Sequence, residues 1–404
     1  MELHNGTLFW PTTLQKKSHT NPIIKSYYDA VIIGGGISGI LTAKALLEEG
    51  LTVAILERDE IGAGSTSANT GLLQYSNDIP LHELVEQIGE EDASRFYKLC
   101  YEGVDQLEEI AVTLPDQADF TRRPSICFAS KKGDVAKLKK ECEMLIKHGF
   151  PAEFWNELIV KKRLPFEAPA ALYTENDAEI NPYKFVVSLA DQLKTRGLDI
   201  FENTFANVIK DVKTHIVLHT MNGVFTTARI IYTTGYDKLP YGKMKGADIN
   251  RSYAIVTEAK PNFEGWYEKA LIWETARPYL YFRMTTDHRV VFGGLDERKA
   301  NPVENEEKLD VMAQALLDRL HELIPNETFS AQFKYCASFG ESLDHLPFIG
   351  QHPEKPKHYY LLGFGGNGTV YSMLGSKILA DIIMERPNDD ARIVTLDRKY
   401  GVMS

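Results

Sequence analysis

The chain has 404 residues, 44% of them hydrophobic and 25% charged, enough for two or three domains or for one large domain with a second layer. A formal net charge of -11 argues against nucleic acid or an anionic membrane surface as the main partner, since either needs a basic face. The four cysteines, Cys100, Cys127, Cys142 and Cys336, lack the spacing of a zinc site and read as buried thiols rather than a disulfide framework. No run of about 18 apolar residues is present, and the first residues lack a basic start followed by an apolar block. A cytoplasmic location without a transmembrane segment is expected.

Residues 1–26 form an extension whose "LFWPTT" is apolar enough to dock on the body or on a partner, though a mobile tail fits as well. "YYDAVIIGGGISG" then gives an apolar run, Ala30 to Ile33, suited to a strand buried on both faces, followed by glycines at 34, 36 and 39. Ile37, Ile40, Leu41 and Leu47 fall at helical spacing up to Gly50, and "LTVAILE" is a second strand ending in Glu57. Strand, GxGxxG, helix, strand and acid stand in the order of a dinucleotide-binding unit. In that unit Gly34 makes the turn, Gly36 leaves room for a pyrophosphate, and Gly39 lets helix and strand pack. The helix start at Ile37 and Ser38 offers its N–H groups to phosphate. A carboxylate at Glu57 accepts ribose hydroxyls and repels a 2′-phosphate, which selects FAD or NAD over NADP.

"ERDEIGAGSTSANTGLLQ" follows, a run of small hydroxyl and amide side chains able to lie along a phosphate and sugar chain, or else a polar surface loop. "NPYKFVVSLADQLKTRG" predicts a helix capped by Asn181 with Pro182 in its first turn. Two β-rich runs flank Asn222-Gly223, a hairpin signal. "RSYAIVTEAK", "PYLYFRM" and "HRVVFGGLDE" read as strands of a mixed sheet, and "ENEEKLDVMAQALLDRLHELI" as an amphipathic helix. In "ARPYLYFRM", alternation puts Arg277, Tyr279, Tyr281 and Arg283 on one face, toward either a ligand cavity or solvent, with Leu280, Phe282 and Met284 on the other. Near the C-terminus "GFGGNGTVYSMLGSKILADII" is a second glycine loop running into a helix with Val370, Met373, Leu374, Ile378 and Ile382 on one face.

Taken together, "VIIGGGISG", "ERDEIGAGSTSANTG", "IIYTTGYD", "ESLDHLPFIG" and "GFGGNGTVYS" resemble, in order, the motifs of the FAD-dependent oxidoreductases of the D-amino-acid oxidase superfamily, glycine and sarcosine oxidases and D-amino-acid dehydrogenases among them. The resemblance spans about Tyr28 to Met384. It implies α/β plus α+β architecture: a Rossmann-like FAD-binding domain (27–77, 181–249 and 336–404) and a mixed-sheet substrate domain (78–180 and 250–335). It also implies FAD as cofactor. Beyond Gly34, Gly36, Ile37, Ser38, Gly39 and Glu57, the positions carried over are Arg58, Gly64, Ser65, Thr66, Ser67, Asn69, Thr70, Gly71 and Leu72. To these are added Val208 by the adenine, Thr234 and Gly235 by the phosphates, and Gly365, Gly366, Asn367, Gly368 and Thr369 at the flavin ring. Backbone N–H groups of 366–369 would stabilise the negative charge of the reduced ring.

The implied reaction is oxidation of an amine or amino acid by hydride transfer to flavin, giving an imine that hydrolyses, with oxygen or a quinone as final acceptor. The alternatives are a hydroxy-acid or glycerol-phosphate oxidising flavoprotein, or a noncatalytic FAD-holding subunit. Arg277 and Arg283 are candidates to bind a substrate carboxylate and Tyr279 and Tyr281 to wall the site, with Tyr253 weaker. No general base is assigned. The chain departs from the family where an arginine usually clamps that carboxylate: Phe339 stands there, so an α-amino acid loses its anchor. Either Arg277 or Arg283 replaces it, or the substrate is an amine or polyamine conjugate whose charge meets something else, with Glu341 one option and a solvated glutamate the other. His345 reads as a turn residue and Cys336 as an ordinary buried thiol.

Overall fold

The computed structural model describes residues 3–398 except 16, 17, 22, 237–243, 262, 264, 265 and 364, with the backbone alone of 244, 245, 402 and 403. Its smaller sheet explains how the first glycine loop is placed. Five parallel strands, Tyr28–Ile33, Val53–Leu56, Asp199–Phe201, Gly223–Tyr232 and Lys355–Leu362, lie in the spatial order 3-2-1-4-5 when numbered along the chain. All four residues of Val53–Leu56 are buried, as a strand covered by helices on both faces must be. Order reverses between Tyr28–Ile33 and Gly223–Tyr232, whose connections leave to opposite sides. That divergence opens a crevice beyond their carboxyl ends, at Gly34 and Thr233.

Helix Ile37–Glu48 and helix Gly368–Ile383 pack together, and the Oγ atoms of Ser38 and Ser372 meet at 2.7 Å near their N-termini. Helix Pro182–Thr195 begins at Asn181, whose side chain accepts from Lys184 N–H. The hairpin pairs Thr220 with Gly223, so Met221 and Asn222 form its turn.

The larger sheet has ten strands, mostly antiparallel. Its longest pair, near one edge, is Ala247–Thr257 with Ala331–Ser342, and helix Glu306–Leu323 buries Leu309, Leu316, Leu320 and Leu323 against it. The two long strands run through the expected boundaries at 249/250 and 335/336, and the short strand Leu72–Leu73 also joins this sheet. Both long strands lie wholly in the larger sheet, paired from Ala247–Ser342 to Thr257–Ala331, so the polypeptide changes sheets in the connections outside them.

The N-terminal extension docks on the body. His4–Gly6 pairs antiparallel with Tyr335–Ala337, and Phe9 and Trp10 are buried. Trp10 Nε1 donates to Asn69 O at 2.6 Å, and the Arg283 guanidinium lies 5.0 Å from its ring centre. Trp10→Ala is expected to cost about 3 kcal/mol through the lost burial and the orphaned carbonyl, measured by urea unfolding.

Candidate active site

Two joined compartments occupy the crevice, sharing Ser65, Asn69 and Tyr236 in their walls. The glycine compartment holds about 1120 Å³ of atom-free space and is lined by both helix starts: Gly34, Gly36, Ile37 and Ser38 from one, Gly368, Thr369 and Ser372 from the other. Tight packing sets this geometry. Gly34 has φ +111, and a Cβ on Gly39 would lie 1.9 Å from Gly34 O, so only glycine lets the helix approach its strand. Around Gly36 the nearest such contact is Thr66 Oγ1 at 3.1 Å, which leaves its cleft side open. Thr66 Oγ1 also accepts from Ile37 N–H.

Glu57 sits just past its strand, accepting from Gly35 N–H at 2.6 Å and from Asp59 N–H at 2.8 Å while burial pushes its carboxyl up. It braces the loop as well as facing the cleft. Arg58, Gly64, Thr234 and Gly235 complete the wall.

Ser65 Oγ and Thr234 Oγ1 are enclosed and have no partner within the protein. Buried hydroxyls are normally satisfied, so these call for a polar ligand in the cleft. Two helix N-termini, an open glycine and a row of hydroxyls suit a dinucleotide's phosphates and sugars, and the chemistry of FAD fits what is present.

The second compartment, with about 1050 Å³, is aromatic. Asn69, Thr70, Leu72, Gly365, Gly366 and Asn367 line it together with the rings of Trp273, Tyr279, Tyr281, Tyr335 and Phe339. Gly366 differs from expectation. Its N–H donates to Asp78 Oδ2 at 2.7 Å, and Gly365 N–H donates to Gly340 O at 2.7 Å, so neither amide is offered to a ligand. Asn367 anchors the loop through Nδ2, bonded to Ser76 O and Asn77 Oδ1 at 2.9 Å each. The first helical residues, Gly368 and Thr369, keep the orientation that leaves helix-start N–H groups outward.

Four carried-over positions lie outside both compartments. Gly39 and Ser67 pack beneath the loop, the latter bonding Ala63 O and Gly64 O at 2.9 Å. Gly71, with φ +76, is where a Cβ would strike Ile180 O at 2.2 Å. Val208 is 45% exposed on the strand Ala206–Asp211, and Thr204, Phe205 and Ala206 line the cleft instead.

The four polar residues of 277–283 are not one face. The strand begins only at Tyr281, so alternation does not reach back to Arg277. Tyr279 and Tyr281 enter the compartment with ring centres 5.6 Å apart, and Tyr279 donates its hydroxyl to Asp78 Oδ1 at 3.2 Å. Arg277 is exposed at the rim, 4.7 Å from the Tyr279 ring centre, with Nη2 on Asp78 O. Arg283 is turned away and buried. It donates to Thr70 O at 2.7 Å and Ile180 O at 2.8 Å and pairs with Glu179 at 3.4 Å. Leu280, Phe282 and Met284 do enter the core. Tyr253 lines the compartment, its hydroxyl donating to Glu297 at 3.0 Å. Glu341 is half-buried and accepts from Asn250 at 2.7 Å, while Cys336 is fully buried away from the cleft. His345, with φ +59, is a turn residue.

Asp296, Asp78, Asn77 and Tyr335 escaped sequence reasoning. One signal was present for Asp296: the glycines just before it. A Cβ on Gly293 would lie 2.5 Å from the Tyr281 ring, so that glycine makes room for the aromatic wall. Asp296 Oδ1 is enclosed without a partner, and burial, reinforced by Glu341 and Asp78, pushes its carboxyl from 3.8 up to about 6.

The model of the FAD dependent oxidoreductase family matches residues 29–382. A putative Rieske 2Fe-2S iron-sulfur protein, YhfW of Bacillus subtilis, is 22% identical over 96% of this chain and 75% of its own. The gamma-glutamylputrescine oxidoreductase of Escherichia coli is 24% identical over 88% of this chain and 83% of its own. The crystal structure of glycine oxidase from Geobacillus kaustophilus superposes with a TM-score of 0.76 at 20% identity, covering 93% of this chain and 99% of that one. Among the described residues no helix is long and apolar enough to cross a membrane, and no group of His, Cys, Asp and Glu is arranged to hold a metal ion.

Two predictions separate structural from ligand-facing groups. Arg283→Met is expected to cost about 3 kcal/mol in urea unfolding, because Glu179 is fully buried and loses a partner, whereas Arg277→Met at the exposed rim should change stability by less than about 0.5 kcal/mol. For Asp296 the folded value lies above the unfolded one, so the folded state binds more protons between 3.8 and about 6 and stability falls as pH rises through that window. Asp296→Asn should therefore raise the melting temperature at pH 7 by about 2 °C or more, with the gain shrinking toward pH 4.

The match over most of the chain, with both helix starts and the unsatisfied hydroxyls at one crevice, leads to a plain assignment: this protein belongs to the family of FAD-dependent oxidoreductases that includes D-amino-acid oxidase.

Proposed function

We propose that the protein oxidises the carbon–nitrogen bond of an amine or amino acid in the aromatic compartment, with FAD lying along the glycine compartment. The observation that carries this reading is the continuity of the two compartments through Ser65, Asn69 and Tyr236. A ligand gripped at the helix starts can thereby present its far end to the aromatic walls. The names of the gamma-glutamylputrescine oxidoreductase and glycine oxidase relatives support an amine or amino acid as substrate.

Bound FAD supplies the two-electron oxidant. The chain supplies position and exclusion of water. Gly34, Gly36, Ile37 and Ser38 hold the pyrophosphate, Glu57 the ribose, and Ser65 and Thr234 the chain between. Asp78 fixes the Gly366 loop against Tyr279, so the aromatic wall and the second helix start keep one spacing. Tyr279 and Tyr281, whose burial raises both hydroxyls above the ordinary tyrosine range, remain neutral donors at any working pH. The four free cysteines are buried, which suits a reducing cytoplasm.

Purified protein incubated with FAD is expected to show flavin absorbance and to bleach anaerobically with members of a panel of amines and amino acids. Bleaching by 2-hydroxy acids or glycerol phosphate alone would transfer the assignment to those substrates. Protein that stays colourless after incubation with FAD would overturn it.

A further inference from the structure

The aromatic compartment has an unusual charge. Its described lining contains no lysine, arginine or histidine, but two carboxylates, Asp78 and Asp296. Asp78 is spent on Gly366 N–H and the Tyr279 hydroxyl. Asp296 has an enclosed Oδ1 with no partner. Glu341 and Asp78 bear on it with like charge, and Arg277 at the rim opposes them. The walls are Trp273, Tyr279, Tyr281, Tyr335 and Phe339, whose ring faces carry negative potential.

Two independent observations point to a ligand here. Tyr335 is 2% exposed, lines the compartment, and has a hydroxyl without a partner. Asn77, also in the lining, is 2% exposed, and its Nδ2 is likewise unpartnered. Enclosed polar atoms of this kind await a polar guest.

A substrate carboxylate would find no counter-charge in such a box and would face two acids. Phe339 fills the wall, Arg283 is committed to Thr70, Ile180 and Glu179, and Arg277 is exposed at the mouth. A cation finds the Asp296 carboxylate, whose Oδ1 is unpartnered although Ser252 bonds the group, and several ring faces. Resting on the reading of this site as an amine-oxidising one, we propose that the substrate is a di- or polyamine lacking an α-carboxylate: one nitrogen is oxidised, and a second, still an ammonium, is held by Asp296 within the aromatic walls. The reacting nitrogen must be neutral to give up electrons from its carbon, so the charge that the box selects belongs to the other end of the molecule.

The test uses the FAD-loaded full chain. Anaerobic bleaching is titrated with 1,4-diaminobutane, butylamine, glycine and sarcosine, and binding of the unreactive probes tetramethylammonium and acetate is followed by calorimetry. The diamine should half-bleach the flavin at a concentration at least about tenfold below butylamine, and glycine and sarcosine should not bleach it. Tetramethylammonium should bind at least about tenfold more tightly than acetate. Asp296→Asn should raise the diamine concentration by more than the butylamine concentration and remove the preference for tetramethylammonium. Should that variant fail to hold FAD, the wild-type panel decides alone. Glycine or sarcosine acting as well as the diamine, butylamine equalling it, or acetate binding as tightly as the cation, would each overturn the proposal while leaving amine oxidation standing. No bleaching by any amine or amino acid would overturn both.

Discussion

Two helix N-termini pointing into one crevice is the constraint on which the rest of the structure depends. Each carries roughly half a positive elementary charge, and the Ser38–Ser372 contact holds them side by side. Like ends of two dipoles repel unless an anion lies between them. The close approach of Gly39 to Gly34 O and the packing of Gly368–Ile383 on Ile37–Glu48 force that arrangement. The site is organised around a negatively charged ligand before any side chain is considered.

The cleft is consequently polarised along its length. At one end, backbone donors and helix dipoles favour phosphate, and even Glu57 is turned to brace Gly35. At the other, carboxylates and rings favour positive charge. The two ends meet at Ser65, Asn69 and Tyr236, and within the aromatic end Asp78 accepts from an amide of the second glycine loop at Gly366. Arg283 shows the same separation from the opposite side: the buried guanidinium ties the 70–71 loop to the Glu179 strand end and faces neither the cavity nor solvent.

What could be read from the sequence was what short-range geometry determines. The strand, glycine loop and helix at 28–48 are set by apolar runs and turn chemistry within a few residues, and so are the Asn181 cap and the stripe of Glu306–Leu323. The crevice position follows too, since parallel strands joined by helices impose a switch point. The substrate end was less legible because it is assembled from distant parts. Asp78 meets Gly366 across nearly the whole chain, and Tyr335, Asp296 and Tyr281 come from separate strands. Alternation does not hold across 277–283 for a local reason: Arg277 and Tyr279 precede the strand Tyr281–Met284. Val208 stands two residues along its strand from Ala206, which lines the cleft.

The His4–Gly6 strand has a bearing on how this molecule comes into being. It closes the open margin of the larger sheet against Tyr335–Ala337, and Leu3 both accepts from Ser338 N–H and reaches the glycine compartment. The pairing of His4 with Ala337 joins widely separated parts of the chain, and until it forms the margin at Tyr335–Ala337 presents unpaired N–H and C=O groups on which other chains could pair.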